Sequence, residues 1–181
     1  MRLVKEGRIV EDPFVPILDD APIPDGVPVI IPAARFLADA AELTQRNAGL
    51  GVAWPNNRPV GELAPHLDRV SVVALAFPAF KDGRAYSQAR LLRERYGFRG
   101  ELRATGQVLR DQFLFMLRAG FDSFEVTKDA DAAAFADVAR RYSVFYQPAA
   151  DGRTTVLRAR LTAGRQVGAL SPGDKGVRIE S

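Results

Sequence analysis

The apolar positions of this chain fall into short runs separated by amphipathic stretches, and the alternation repeats along its length. Val29-Ile30-Ile31 is an apolar run closed by Pro32. Ala33 to Asn47 follows, with Phe36, Leu37, Ala40, Ala41 and Leu43 or Thr44 along one helical face and Gly49 just beyond. Leu50 to Trp54 is a second apolar run, and Gly61 to Leu67 reads as a short helix interrupted by Pro65. Val70 to Phe77 (Val-Ser-Val-Val-Ala-Leu-Ala-Phe) has the near-continuous apolar pattern of a strand covered on both faces. Ser87 to Tyr96 is a helix with Leu91 and Leu92 inward, Glu101 to Ala104 a strand, and Gln107 to Ala119 a helix ended by Gly120. Ser123 to Val126 is the fifth strand. Asp131 to Tyr142 is the last helix, with Phe135, Val138 and Tyr142 along one side.

Five strand–helix units at this spacing predict an α/β fold with a mainly parallel sheet, joined by right-handed crossovers. An open three-layer sandwich is expected, because five units are too few to close an eight-stranded barrel; a partial TIM-barrel-like curve is the alternative. This domain spans residues 27–148. Residues 1–26 form an N-terminal extension in which Arg2–Val4 and Arg8–Val10 make a hairpin around Lys5-Glu6-Gly7. Pro13, Pro16, Pro22 and Pro24 keep the remainder extended. Residues 149–181 form a basic, partly flexible tail: Thr154 to Leu161 alternates as a strand, and Ala163 to Ser181 has few apolar anchors.

Composition changes this picture little, but charge distribution does. At 181 residues and 19.8 kDa, with 47% hydrophobic and 26% charged residues, the chain suits one globular domain. The formal net charge is only +3, yet the pI is near 9.5. Acidic residues crowd the first third, whereas eight arginines lie between residues 77 and 122. These arginines lack the aromatic interleaving or motif of a nucleic-acid surface, so a nucleic-acid partner is not expected. With no cysteine, the chain cannot hold a thiolate cluster, a CxxC redox centre or a disulfide. His66 is the lone histidine and reads as a surface residue; no metal ligand set is present. No run approaches the ~18 apolar residues of a membrane span, and the first residues carry no signal-peptide core. A cytoplasmic location without membrane partners is expected.

A parallel sheet ends all its strands on one edge, and ligands bind outside those carboxyl ends. The edge would gather Pro32 to Arg35, Pro55 to Asn57, Pro78 to Arg84, Thr105 to Asp111 and Thr127-Lys128. In Asp82-Gly83-Arg84-Ala85-Tyr86-Ser87, Gly83 permits a tight turn and Ser87 is placed to cap the helix or offer a hydroxyl. Thr105-Gly106-Gln107 sits where strand should turn into helix, so its amides are candidates to cradle an oxyanion. Arg110 and Asp111 follow in the first turn, and Asp111 is placed to pair with Arg103 or Arg110. The candidate anion- or partner-binding set is Asp82, Gly83, Arg84, Tyr86, Ser87, Arg93, Arg103, Thr105, Gly106, Gln107, Arg110 and Asp111. Arg93, with Arg90, Glu94 and Arg95, also fits an ordinary solvated helix face. Asp111 and Tyr86 are the candidates for acid–base chemistry. Neither a dinucleotide nor a phosphate-loop fingerprint occurs, so no cofactor is evident.

The run Phe77-Pro-x-Phe80-x-Asp82-Gly-Arg84-x-Tyr86-Ser87-x-Ala89-x-Leu91-Leu92-Arg93 continues as Gly97-Phe98-x-Gly100-Glu101-Leu102-Arg103-Ala104-x-Gly106-x-Val108-Leu109-x-Asp111-Gln112. With Arg118-x-Gly120-Phe121-Asp122 it resembles a bacterial domain-of-unknown-function family, collinear over roughly residues 27 to 145. Members of that family are labelled oxidoreductases of sulfite reduction. The resemblance implies a role in sulfate assimilation, though a multi-electron reduction calls for haem and iron–sulfur machinery that a cysteine-free chain does not hold. The leading expectation is an accessory protein that binds sulfite reductase, its electron donor or a small anion through an Arg-rich rim. A small enzyme acting on a sulfur-containing or phosphorylated metabolite is the second, with Arg84, Arg103 and Arg110 as clamps. A flavin- or nicotinamide-dependent oxidoreductase is the third.

Overall fold

A computed structural model describes residues 2–79, 81–126, 131–134, 145–146, 148–149 and 154–167 of the chain. Its centre is an eight-stranded sheet in the order β2-β1-β8-β7-β6-β5-β4-β3. The strands are β1 (Arg2–Lys5), β2 (Arg8–Val10), β3 (Val15–Pro16), β4 (Val29–Pro32), β5 (Leu50–Trp54), β6 (Val72–Phe77), β7 (Glu101–Gly106) and β8 (Ser123–Val126). From β3 to β8 every pairing is parallel; β1 joins β8 and β2 antiparallel. The sheet is thus mixed, with the expected hairpin serving as one edge and β3 as the other. Residues 1–26 supply three of its strands.

Strands β4 to β8 lie side by side in chain order, with no reversal of direction across the sheet. Right-handed crossovers that always step the same way put every connecting helix on the same face. The packing agrees. Phe36, Leu43, Leu63, Ala89, Leu92, Phe113 and Met116 from the connections share one core with Val29, Val52, Val73, Leu75, Leu102 and Phe124 of the sheet. The open three-layer sandwich therefore gives way to helices on one face, and the alternative, a curled half-barrel, describes the fold.

The curl follows from chain length. Val10 ends one edge strand and Val15 starts the other. Five residues reach at most about 17 Å, whereas seven flat inter-strand spacings would hold the edges about 34 Å apart. The sheet must bend its edges toward each other, and residues 11–14 cross its concave face.

Between the strands lie α1 (Ala33–Ala38), α2 (Ala40–Leu43), a 3₁₀ helix at Val60–His66, α3 (Arg84–Arg90) continuing as a π-turn (Leu91–Arg95), a 3₁₀ turn (Arg110–Gln112) and α4 (Phe113–Ala119). The single helix expected over Ala33 to Asn47 is broken at Asp39, whose φ of −110° leaves the helical region. The helix expected from Ser87 begins three residues earlier, at Arg84. Ser87 is therefore not its cap; Asp82 instead accepts the Arg84 backbone N–H at 3.2 Å. The helix expected from Gln107 begins only at Arg110, because Thr105 and Gly106 continue the strand. Gly120, at φ 103°, ends α4 in the left-handed conformation that glycine tolerates best. The helix expected over Asp131 to Tyr142 lies outside the described residues apart from helical residues 131–134.

Ser143–Pro148 and Gly152–Ser181 form a separate unit. Within it Phe145 bridges Thr155, and α5 (Val156–Val167) occupies the stretch read as a strand. Leu157 and Leu161 stand four residues apart and are both exposed, which a helical period accommodates as readily as the alternation did. Among the described residues no helix is long and apolar enough to cross a membrane.

Candidate functional site

The twelve residues singled out from the sequence separate into three places. The first is the carboxyl edge of β6 and β7. Phe77 pairs with Gly106, and the Gln107 N–H donates to the Phe77 carbonyl at 2.8 Å, so the loops leaving the two strands emerge together. Gly106 is held at φ 85°, and a Cβ there would lie 2.5 Å from the Phe77 carbonyl oxygen. Only glycine fits this conformation and this approach. Thr105, Gly106 and Gln107 therefore form a strand end against Phe77, and the oxyanion cradle expected at a helix start is not built here.

On this edge Arg84 chelates Asp82, through Nε at 2.9 and 3.2 Å and Nη2 at 2.6 Å. The hydrogen bond from Arg84 holds the Asp82 carboxyl well below the usual carboxylate range, and the same pair raises Arg84. Arg84 remains 57% exposed despite this pairing. Tyr86 is half-buried, with its ring against Phe77 at 5.1 Å and Phe121 at 6.5 Å. Burial, then the charge of Asp111, pushes its phenol upward, which keeps it protonated. Gly83, Ser87, Gln107, Arg110 and Asp111 are exposed alongside.

The second place is the opposite, amino-terminal end of the sheet, and it holds Arg93. This residue is no solvated helix arginine. Its Nη1 donates to the carbonyls of Phe98 (2.7 Å) and Gly100 (2.8 Å), its Nε to Gly120 (3.0 Å), and its Nη2 to Asp122 (2.5 Å). Asp122 in turn accepts the Leu102 N–H at 2.8 Å. Arg93 ties the π-turn to the starts of β7 and β8.

The third place is the concave face. Lys5, Ser123, Arg103, Ala74, Ala53 and Pro32 form one row across the sheet, each the partner of the next. Arg103 is 1% exposed. Its guanidinium binds both oxygens of Asp12 (2.6 and 3.0 Å) and Glu101 (3.1 Å), with Glu125 at 3.8 Å and the Phe14 ring 5.8 Å below. Burial opposes the charge on Arg103, but Asp12 and Glu101 outweigh it and raise the group. Burial likewise pushes Glu101 up, yet hydrogen bonds from Ser123 (2.6 Å) and Lys5 (3.0 Å), with the charge of Arg103, leave it lowered. Glu125 is raised by burial and by Asp12, with Arg103 opposing. The expected pairing of Arg103 with Asp111 is not made; its partners are Asp12 and Glu101.

Two clefts open beside these groups. One, of about 350 Å³, lies over the small side chains Ala53, Ala74 and Ala76, bounded by Thr105, Pro32 and Arg58. The other, of about 290 Å³, lies between the loop after β5 and α3, and is lined by Asn56, Arg58, Arg84, Ser87, Gln88 and Leu91 among others. Sequence reasoning passed over Arg58 and Gln88 and stopped at Asn57. The available signal was Asn56-Asn57-Arg58 immediately after a strand's carboxyl end.

The β5-to-β8 portion of this architecture, and the segment that follows it to residue 157, match the sequence model of DUF934, described as a bacterial protein of unknown function. The match covers residues 51–157, more than half of the chain. The chain belongs to the DUF934 family. In this DUF934 protein the matched region contains the carboxyl-edge loops, Arg93, Arg103 and both Asn56 and Gln88, whereas Asp12 and Lys5, which neutralise the concave face, precede it. No curated protein matches the chain.

Proposed function

We propose that this DUF934 protein is an accessory factor of assimilatory sulfite reduction that docks an acidic face of sulfite reductase, or of its electron donor, on the carboxyl edge of β6 and β7. The observation that carries this reading is the composition of that edge. Arg84 and Arg110 are exposed there together with Leu109, which is 40% exposed, and Arg110 forms no ion pair among the described residues. Arginine is enriched at protein interfaces, and an exposed apolar side chain on the same edge adds surface for a partner to bury. The sulfite connection rests on the sequence resemblance, and the geometry supports docking in general. The test is binding of the purified chain to sulfite reductase and to its electron donor at low and raised salt. Salt-sensitive binding, weakened about tenfold by Arg84→Glu, is expected. Absence of binding to either protein at low salt overturns the reading.

A second reading, an enzyme acting on a sulfur-containing or phosphorylated metabolite, draws on Tyr86. Its phenol is raised and stays protonated beside Asp111, as a hydrogen-bond or proton donor to an anionic substrate must. Turnover lost in Tyr86→Phe with an unchanged melting curve would favour it over docking.

A further inference from the structure

We propose that residues 11–14 are a strap over the concave face, held shut by Asp12 on Arg103 and released when Glu125 ionises. The strap runs outside any strand, with Glu11, Asp12 and Pro13 exposed. Asp12 accepts from Nη1 and Nη2 of Arg103 at 2.6 and 3.0 Å, and also from the Phe14 N–H at 3.1 Å. Phe14 packs against the cluster of Ile30, Val72 and Ala74 on the sheet, and its ring centre lies 5.8 Å from the Arg103 guanidinium. One ion pair thus holds an aromatic cover in place. Ala74 belongs to that cluster and also lines the cleft of about 350 Å³. Lifting the strap therefore extends the cleft along the concave face toward Arg103.

Two carboxylates address the same nitrogen. Asp12 Oδ2 is 2.6 Å from Arg103 Nη1, and Glu125 Oε1 is 3.8 Å from it. Beside them Glu101, on β7, accepts from Arg103, from Lys5 on β1 and from Ser123 on β8. With Glu125 protonated, Asp12 and Glu101 balance Arg103 and Lys5. With Glu125 ionised, three carboxylates face these two cations where water screens them poorly. Glu101 and Glu125 are fixed by strand pairing, to Val72 and to Leu3. Asp12 sits on the exposed segment between strands, so it is the carboxylate free to leave. Closure and ionisation therefore oppose each other. The Glu125 carboxyl agrees with this: burial pushes it up, Arg103 opposes, Asp12 adds to the rise and the chain's amino terminus counters it. A group raised by closure favours the closed strap in acid, and that preference is lost as pH rises through its closed-state value.

The chain contains no cysteine, so a single introduced thiol reports the strap. Val72→Cys places the thiol in the cluster that Phe14 covers, at a position 2% exposed. Val73→Cys, fully buried on the opposite face of the same strand, reports opening of the whole fold. The reaction of each with dithiodipyridine is followed from about pH 4.5 to about pH 8, and normalised to that of Ser87→Cys, which is exposed. The Val72→Cys rate is expected to rise severalfold with pH relative to that of Val73→Cys, and adding Glu125→Gln should hold it at its acid value. Adding Asp12→Asn instead should speed it about tenfold, even in acid. A Val72→Cys rate parallel to that of Val73→Cys at every pH overturns the proposal, as does an equal rise with and without Glu125→Gln. The test contains no partner protein, so this proposal and the docking reading fail separately.

Discussion

Arg103, in the middle of β7, is held through both terminal nitrogens by Asp12, a residue 91 positions earlier in the chain. This bond pins the segment that crosses the concave face to the strand beneath it. The guanidinium is almost wholly buried, so removing Asp12 takes away two of its charged hydrogen bonds and leaves Glu101 as its remaining close partner, whereas removing Arg103 leaves the carboxylates around it without their cation. Arg103→Met and Asp12→Ala should each lower stability by about 3–5 kcal/mol. The double variant should cost clearly less than the sum of the two, because they remove one interaction. Urea denaturation of the three variants checks both statements, and additive losses would show that the residues act independently.

Glu101 and Glu125 share Arg103 but respond to pH in opposite directions. The Glu101 carboxyl is lowered in the folded state, so the stability it contributes is present above its unfolded value, about 4.3, and is lost as pH falls through the folded value. Glu125 is raised, so folding favours its protonated form; that contribution is full below the unfolded value and is lost as pH rises through the folded value. Glu101→Gln should therefore destabilise at pH 7, by about 2 kcal/mol for the charged hydrogen bonds given up, and the loss should shrink in acid. Glu125→Gln should stabilise at pH 7, with the gain fading as pH drops. Melting curves from pH 3 to pH 8, an interval chosen around the unfolded carboxylate values, separate the two. The same sign of effect in both variants at pH 7 would contradict the assignment.

Arg93 joins four acceptors from two separate segments, and no single ammonium reaches all of them. Arg93→Lys should cost about 2–3 kcal/mol and should leave partner binding unchanged. A variant with wild-type stability and impaired docking would return Arg93 to the functional surface.

Gly106 offers a test of the junction that brings the two loops together. Alanine there meets both the strain of φ 85° and the Phe77 carbonyl oxygen at 2.5 Å. Gly106→Ala should lose about 2 kcal/mol or more. Gly26, at φ 69° with nothing within 4 Å of an added Cβ, serves as the control and should lose about 1 kcal/mol. Equal losses would mean that the backbone conformation alone matters and that the close approach to Phe77 does not.

The strands β4 to β8 were legible because buried parallel strands must be apolar, and Val73, Leu75 and Leu102 show it without ambiguity. The winding was less so: nothing in the run from Val29 to Val126 states that the strands lie in chain order, and the curl depends on the short link from Val10 to Val15. Ser87 read as a cap because its hydroxyl suits that position, but the N-cap is Gly83, and Asp82 before it accepts the first helical N–H, that of Arg84. Arg93 and Arg103 looked like members of an exposed rim since their acceptors, Gly120 and Asp12, lie far away in sequence. Arginine density reports charge, whereas exposure depends on contacts that local spacing does not encode. Arg84 and Arg110 were placed on the carboxyl edge correctly because strand polarity alone sets that position.

The exposed arginines of the carboxyl edge are proposed to serve binding, whereas Arg103 serves folding. The most direct measurement compares Arg84→Glu/Arg110→Glu with Arg103→Met, recording for each the melting temperature and the affinity for sulfite reductase and its electron donor at low salt. The edge variant should keep its melting temperature and lose binding about a hundredfold, whereas Arg103→Met should melt earlier and still bind while folded. An edge variant that binds as the wild type does would contradict it.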